Sequence, residues 1–277
     1  MQGRTMSSIN SISTERLARL IGTPKCPVLV DVRTDEDFAS LPHLVPGSVR
    51  RPYVYVADWA GQLSGRSAII FCQKGLKLSE GVAAWLRFVG TPADILEGGV
   101  LNWRKAGMPM INTSKLPAPD KQGRTIWVTR ARPKIDRIAC PWLIRRFVDP
   151  NAVFLFVTPA EVQAVAEKFG GAPFDIEGVF WSHRGELCTF DVMLEEFGIA
   201  TEPLLRLAKI VRGADTGKLD LAPEAAGLLA ASLGLSRMYA DDLEQLEAGM
   251  LLYDAFYRWC RDATDETHGW PSHQAKA

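Results

Sequence analysis

Two nearly continuous apolar runs constrain this chain more than any other feature: Pro27–Val32 (Pro-Val-Leu-Val-Asp-Val) and Ser67–Cys72 (Ser-Ala-Ile-Ile-Phe-Cys). A strand with one wet face alternates apolar and polar residues, whereas runs like these predict strands covered on both faces, as in a parallel sheet. Parallel strands need long crossovers, and the intervening sequence offers helices for them. Ser13 is a candidate N-cap for a helix over Thr14–Ile21 that Gly22 would stop, and Ser79–Val89 reads as a helix ending at Gly90. The expectation is an α/β fold with an open parallel sheet flanked by helices. Its ligand site should lie at the carboxyl ends of the strands.

A stretch at Asn112–Gly123 carries two prolines among polar residues and has no apolar period, so it reads as a linker. The expected organisation is a first domain over residues 1–111, a linker over 112–123, a mostly helical α/β second domain over 124–263, and a tail over 264–277. In the second domain, Thr125–Arg130 and Val153–Val157 read as strands. Thr158-Pro159-Ala160-Glu161 reads as a capping box opening a helix to Phe169, with Gly170 as its stop. Further helices are expected over Pro203–Arg212, Pro223–Leu233 and Asp241–Arg261. The last carries an apolar stripe of Leu243, Leu246, Met250, Tyr253, Tyr257 and Cys260 suited to core packing.

Charge and cysteine usage narrow the function classes. The net charge is zero, with 14 Lys and Arg against 9 Asp and Glu in residues 1–115 and 18 against 23 in residues 116–277, so neither half has the basic excess of a nucleic-acid binder. No apolar run is long enough to span a bilayer, and no signal-peptide pattern opens the sequence. A cytoplasmic protein without membrane partners is therefore the expectation. Five widely spaced cysteines, an odd number with no CxxC pair, read as free thiols.

Cys72 stands out among them. It closes an apolar strand and is followed by Gln73, Lys74, Gly75, Leu76, Lys77 and Leu78 before a helix. Such a loop can turn its amides toward the sulfur, and the helix N-terminus and the two lysines add positive potential, which together favour a thiolate; a small hydrophobe that only ends a buried strand is the alternative of equal weight from position alone. Residues Ser8 to Met110 resemble a single rhodanese domain. The motifs are Val30-Asp31-Val32-Arg33 with Phe38, His43-Leu44-Val45-Pro46-Gly47-Ser48, the Cys72 loop, and the run from Leu96-Glu97-Gly98-Gly99 through Trp103 to Pro109. The resemblance implies that Cys72 is the catalytic nucleophile, accepting sulfur from a sulfane-sulfur donor as a persulfide and passing it to a thiol acceptor. It also implies that the loop Gln73–Leu78 binds the substrate and that no cofactor is required. The spacing from Cys72 to Lys77 resembles sulfurtransferases rather than the longer-looped phosphatase relatives. The chain departs from the family where Lys77 and Leu78 stand in place of the usual Arg and Ser or Thr, and where an extra residue precedes His43.

The second domain opens with an arginine-rich run in which Arg130, Arg132, Arg137, Arg145 and Arg146 are candidate oxyanion-binding residues, because a planar guanidinium suits a tetrahedral oxyanion. Salt bridges on a solvated face are the competing reading. Within this run Cys140 precedes Pro141, which places it near a helix start or kink. His183, Glu186, Cys188, Asp191 and Asp215 are metal-ligand residue types, although their spacing fits no zinc pattern, and a turn braced by Thr189 or Asp191 as N-cap is the alternative.

This half resembles the C-terminal domain of the chromate-resistance ChrB family. The resemblance is carried by the run through Cys140, Phe174-Asp175, Ser182-His183-Arg184-Gly185, Cys188-Thr189-Phe190-Asp191, Val211-Arg212-Gly213-Ala214-Asp215, Leu221–Gly227 and Tyr253–Tyr257. It implies a role in chromate resistance, where family members act as chromate-responsive regulators, with chromate or another oxyanion as a partner. Three functions stay open: a sulfurtransferase fused to a chromate-resistance domain, a non-catalytic redox sensor or regulator, and a metal-binding C-terminal module that carries the activity.

Overall fold

The computed structural model describes residues 10–266. The first half forms strands β1 (Ser11–Ile12), β2 (Val28–Asp31), β3 (His43–Leu44), β4 (Ser48–Arg50), β5 (Ala68–Phe71), β6 (Ala93–Leu96) and β7 (Ile111–Asn112), with helices α1 (Thr14–Ala18), α2 (Asp35–Ser40), α3 (Val56–Trp59), α4 (Lys77–Phe88) and α5 (Gly99–Lys105). Five strands make a parallel sheet in the order β1-β6-β5-β2-β4. Its centre is β5, all four of whose residues are buried, which is why that run shows no alternation. Ser13 caps α1 through its hydroxyl, which accepts from the Arg16 amide.

The second half adds β8 (Ile126–Arg130), β9 (Val153–Val157) and β10 (Ala172–Pro173), and helices α6 (Asp136–Leu143), α7 (Val162–Phe169), α8 (Thr189–Phe197), α9 (Glu202–Asp215), α10 (Ala225–Met238) and α11 (Asp242–Asp262). The three strands form a parallel sheet ordered β10-β8-β9. Local details differ from the sequence reading. The first turn after Thr158 is a 3₁₀ turn over Pro159–Glu161, so the Thr158 side chain makes no capping bond and α7 begins at Val162. Pro141 sits inside α6 rather than at its start, and a wide π turn over Ile144–Val148 follows it. On α11 the stripe from Leu246 to Cys260 is buried, whereas Leu243, in the first turn, is exposed. The expected tail lies outside the described residues from 267 onward.

The start of the stretch 112–123 is tied to the first half. Asn112 pairs with His43 across the two-stranded β3–β7 ribbon, Thr113 Oγ1 donates to the Pro42 carbonyl at 2.7 Å, and Leu116 packs on the main core. That core is continuous between the halves: Val45, Trp103 and Ile111 belong to the same buried cluster as Trp142, Phe147 and Tyr257. A backbone bond from the Gly47 amide to the Phe147 carbonyl, 2.6 Å, ties them at one point. No described helix is long and apolar enough to cross a membrane.

Candidate functional site

The carboxyl end of β5 carries Cys72, and the chain then wraps around the sulfur before α4 begins at Lys77. Two backbone bonds hold the start of this loop against α5, from the Val100 amide to the Cys72 carbonyl (3.1 Å) and from the Leu101 amide to the Gln73 carbonyl (3.0 Å). The fit leaves no room for side chains: a Cβ on Gly75 would stand 2.6 Å from the Leu96 oxygen, and one on Gly99 would stand 2.3 Å from the Cys72 oxygen. Both glycines have positive φ, of 68° and 60°, a region closed to most other residues. Beside the loop, Arg33 makes a fully buried pair with Asp31 and donates to the carbonyls of Leu41 (2.9 Å) and His43 (2.7 Å). The Gln73 amide group reaches Ser40 Oγ at 3.3 Å, so the segment after β2 lies against the thiol loop.

Cys72 is buried, and burial opposes its ionisation. The Ser79 hydroxyl and the amides of Ser79, Leu76 and Lys74 outweigh that effect and hold the thiol below its ordinary pKa. Ser79 Oγ is buried and makes no conventional hydrogen bond to oxygen or nitrogen, which leaves its proton for the sulfur. The hydroxyl missing at Leu78 is thus supplied one residue later; Leu78 itself packs on the hydrophobic cluster of this sheet. Lys74, Leu76 and Lys77 are exposed at the rim. The other four thiols move the opposite way, all chiefly by burial. Cys26 and Cys260 rise to about 11, and Cys140 and Cys188 rise well above the ordinary value.

The arginine-rich run does not converge on one anion site. Arg146 makes a two-pronged pair with Asp254 and Arg145 pairs with Glu247. Arg132 donates to the Ser236 carbonyl, and Arg130 and Arg137 lie against Asp175. These partners come from α10, α11 and the segment after β10, and they divide the five guanidinium groups among separate places, with Arg130 and Arg137 sharing Asp175. Two of the five still meet again: Arg145 and Arg146 line a cleft of about 240 Å³ between the halves together with Arg51 and Arg66, and no carboxylate lines it.

The expected metal set is also redistributed. Glu186 is exposed and pairs with Lys218. Asp191 accepts from the Cys188 amide (3.1 Å) and pairs with Arg212 (3.2 Å), so it closes the start of α8, whose N-cap position is Cys188 rather than Thr189 or Asp191. Cys188 is a buried neutral thiol beside Asp136. His183 and Asp215 do meet, at 3.2 Å, and they meet Asp136 and Asp175, neither of which the sequence reading included. Asp175 follows β10 directly and Asp136 opens α6 a few residues after β8, so both stand at the carboxyl edge of the second parallel sheet.

Residues 13–106 match the Rhodanese-like domain family, and residues 127–260 match the family "ChrB, C-terminal domain". The chain carries a rhodanese-like domain and a ChrB C-terminal domain in series. Protein ChrB of Cupriavidus metallidurans is 38% identical over 138 residues, which cover 49% of this chain and 40% of that protein. The chain thus spans well under half of that relative's length. A sulfurtransferase of Allochromatium vinosum is 25% identical over 105 residues, 37% of this chain and 95% of that protein. A rhodanese-related protein from Thermoplasma volcanium, of known structure, aligns at 20% identity over 37% of this chain and 97% of its own, with a TM-score of 0.33. In the rhodanese-like domain Cys72 occupies the thiol loop, and the ChrB-type domain holds the His183 cluster.

Proposed function

We propose that this protein is a sulfurtransferase of the rhodanese type, with Cys72 as its persulfide carrier, acting in chromate or oxyanion stress. One observation carries the reading: of five thiols, only Cys72 is held toward the thiolate, and it sits in a loop of inward-facing amides at a strand's carboxyl end. In the first step the Cys72 thiolate attacks the sulfane sulfur of a donor such as thiosulfate. The donor's S–S bond breaks and sulfite leaves with the electron pair. The outer sulfur of the resulting Cys72 persulfide is anionic, and the amides of Lys74, Leu76 and Ser79 are placed to stabilise it. An acceptor thiolate then attacks that outer sulfur, and Cys72 departs as the thiolate it was. No step calls for a cofactor.

Mass spectrometry after incubation with thiosulfate tests the assignment. One sulfur should add at Cys72 and none in Cys72→Ser protein; a wild-type chain that gains none, or a variant that gains as much, would overturn it.

The cleft lined by Arg51, Arg66, Arg145 and Arg146 supports an oxyanion partner for the same protein. Arg51 and Arg66 have no acidic partner among the described residues, and two unpaired guanidinium groups at one cleft favour a doubly charged anion such as chromate or sulfate. Chromate should protect wild-type protein against thermal unfolding and protect an Arg51→Ala, Arg66→Ala double variant far less; equal protection would remove the cleft from the reading.

A further inference from the structure

We propose that Asp136, Asp175, His183 and Asp215 form a binding site for one divalent first-row transition-metal ion in the ChrB-type domain. A donor atom from each of Asp136, Asp175 and His183 lies within 4.8 Å of the other two. His183 Nε2 stands 3.6 Å from Asp136 Oδ2, 3.5 Å from Asp175 Oδ1 and 3.2 Å from Asp215 Oδ2. One nitrogen carries at most one proton, so it cannot hydrogen-bond to three carboxylates at once. An ion about 2.0–2.2 Å from each donor would hold tetrahedral donors roughly 3.3–3.6 Å apart, which is close to the three distances from His183 Nε2 to the carboxylates.

A second observation is independent of that spacing. Asp136 is completely buried, and its Oδ1 accepts no hydrogen bond from a nitrogen or oxygen, while the weakly donating Cys188 thiol lies beside the carboxylate. A carboxylate oxygen left alone in the interior is costly, and native structures keep such a group where something else compensates it. A bound cation compensates three gathered acids as the single imidazole cannot.

The surroundings fit ligands held in place rather than surface acids that happen to be close. The Thr189 amide donates to Asp136 Oδ2 at 2.6 Å, the Thr189 hydroxyl donates to Asp175 Oδ1 at 3.0 Å, and Arg137 Nε lies 3.3 Å from Asp175 Oδ2. Outer partners of this kind fix the direction of ligating side chains. Three carboxylates with one imidazole and no thiolate suit manganese, iron or zinc in the divalent state rather than a soft cuprous ion, and the close spacing is tighter than calcium needs. His183 is partly exposed, which gives the ion an entry path.

The test is calorimetric titration of chelator-treated full-length protein with manganese(II) alone and with zinc(II) alone, with thermal unfolding as a second readout. One ion per chain should bind and raise the melting temperature. His183→Gln and Asp215→Asn should each weaken binding roughly tenfold or more, while Glu186→Gln, whose side chain faces Lys218, should bind as wild type does. Absence of binding by either ion, or affinity unchanged in His183→Gln, would overturn the site. The wild-type stoichiometry and His183→Gln decide the question even should Asp215→Asn fail to fold. Cys72 takes no part, so loss of sulfur transfer and loss of metal binding are separable results.

Discussion

Burial alone would make Cys72 a weaker acid, as it does the other four cysteines, so its activation depends on a few donors that can be removed singly. Ser79 is the sharpest case, because its hydroxyl has no competing partner. The thiolate is the reacting form, so the rate of sulfur loading should rise with pH through an inflection below the ordinary thiol pKa and then level off. Ser79→Ala should move that inflection upward. At neutral pH the variant should load about tenfold more slowly, the worth of one hydrogen bond to a charged group, and should catch up with wild type at high pH. Superimposable pH–rate curves for the two proteins would show that Ser79 has no such role. A second residue-scale expectation concerns Asp31 and Arg33, both fully buried. Arg33→Met removes one partner and leaves the Asp31 carboxylate alone, which should cost about 3–5 kcal/mol in a denaturant titration. A loss under 1 kcal/mol would mean that water reaches the pair.

At the scale of elements, the two halves repeat one device: a parallel sheet whose carboxyl edge gathers the reactive groups. In the rhodanese-like domain α5 serves as the brace of the thiol loop, since its first residues bond to the carbonyls of Cys72 and Gln73. Gly99→Ala would push a methyl group against the Cys72 oxygen and the Gly75 amide, at 2.3 and 2.4 Å, and force the loop outward. Sulfur loading should fall at least tenfold while the far-UV circular dichroism stays close to wild type; unchanged loading would show that the loop keeps its shape without the close packing. Much of this was legible in the sequence. Runs such as Ala68–Phe71 declare themselves because burial on both faces removes alternation. The Cys72 loop could be read because all its parts are neighbours in the chain. The acid cluster could not, because Asp136, Asp175, His183 and Asp215 come from four separate elements and only the fold brings them together. Glu186, Cys188 and Asp191 drew attention by lying next to His183 in sequence, but Glu186 turns to Lys218, Asp191 turns to Arg212 and the start of α8, and Cys188 stays a buried neutral thiol beside Asp136.

The whole molecule behaves differently from what its two family matches suggest, because the boundary between them is packed like an interior. Gly22, at φ 78°, lies so close to the other half that a Cβ there would stand 2.3 Å from Phe147 Cζ. Phe147 is in turn edge-on to Trp142 and Tyr257, with ring centroids 5.7 and 5.4 Å away. From the rhodanese-like side, Val45, Trp103 and Ile111 complete the same buried cluster. Separating the halves would expose these side chains to water while leaving each sheet otherwise intact. Large apolar groups of this kind stabilise by roughly 1.5–3 kcal/mol each when fully buried. That sum is comparable with the whole stability of an ordinary domain, about 5–15 kcal/mol, so neither half should survive the loss of the other. The two should therefore melt together, in a single transition seen equally by tryptophan fluorescence and by exposure of Cys72 to alkylation. Phe147→Ala opens a cavity at the junction worth about 3–5 kcal/mol. It should lower the midpoint reported by both probes, although Cys72 belongs to the other family domain. A Cys72 signal that kept its wild-type midpoint while the fluorescence midpoint fell would show instead that the domains unfold independently.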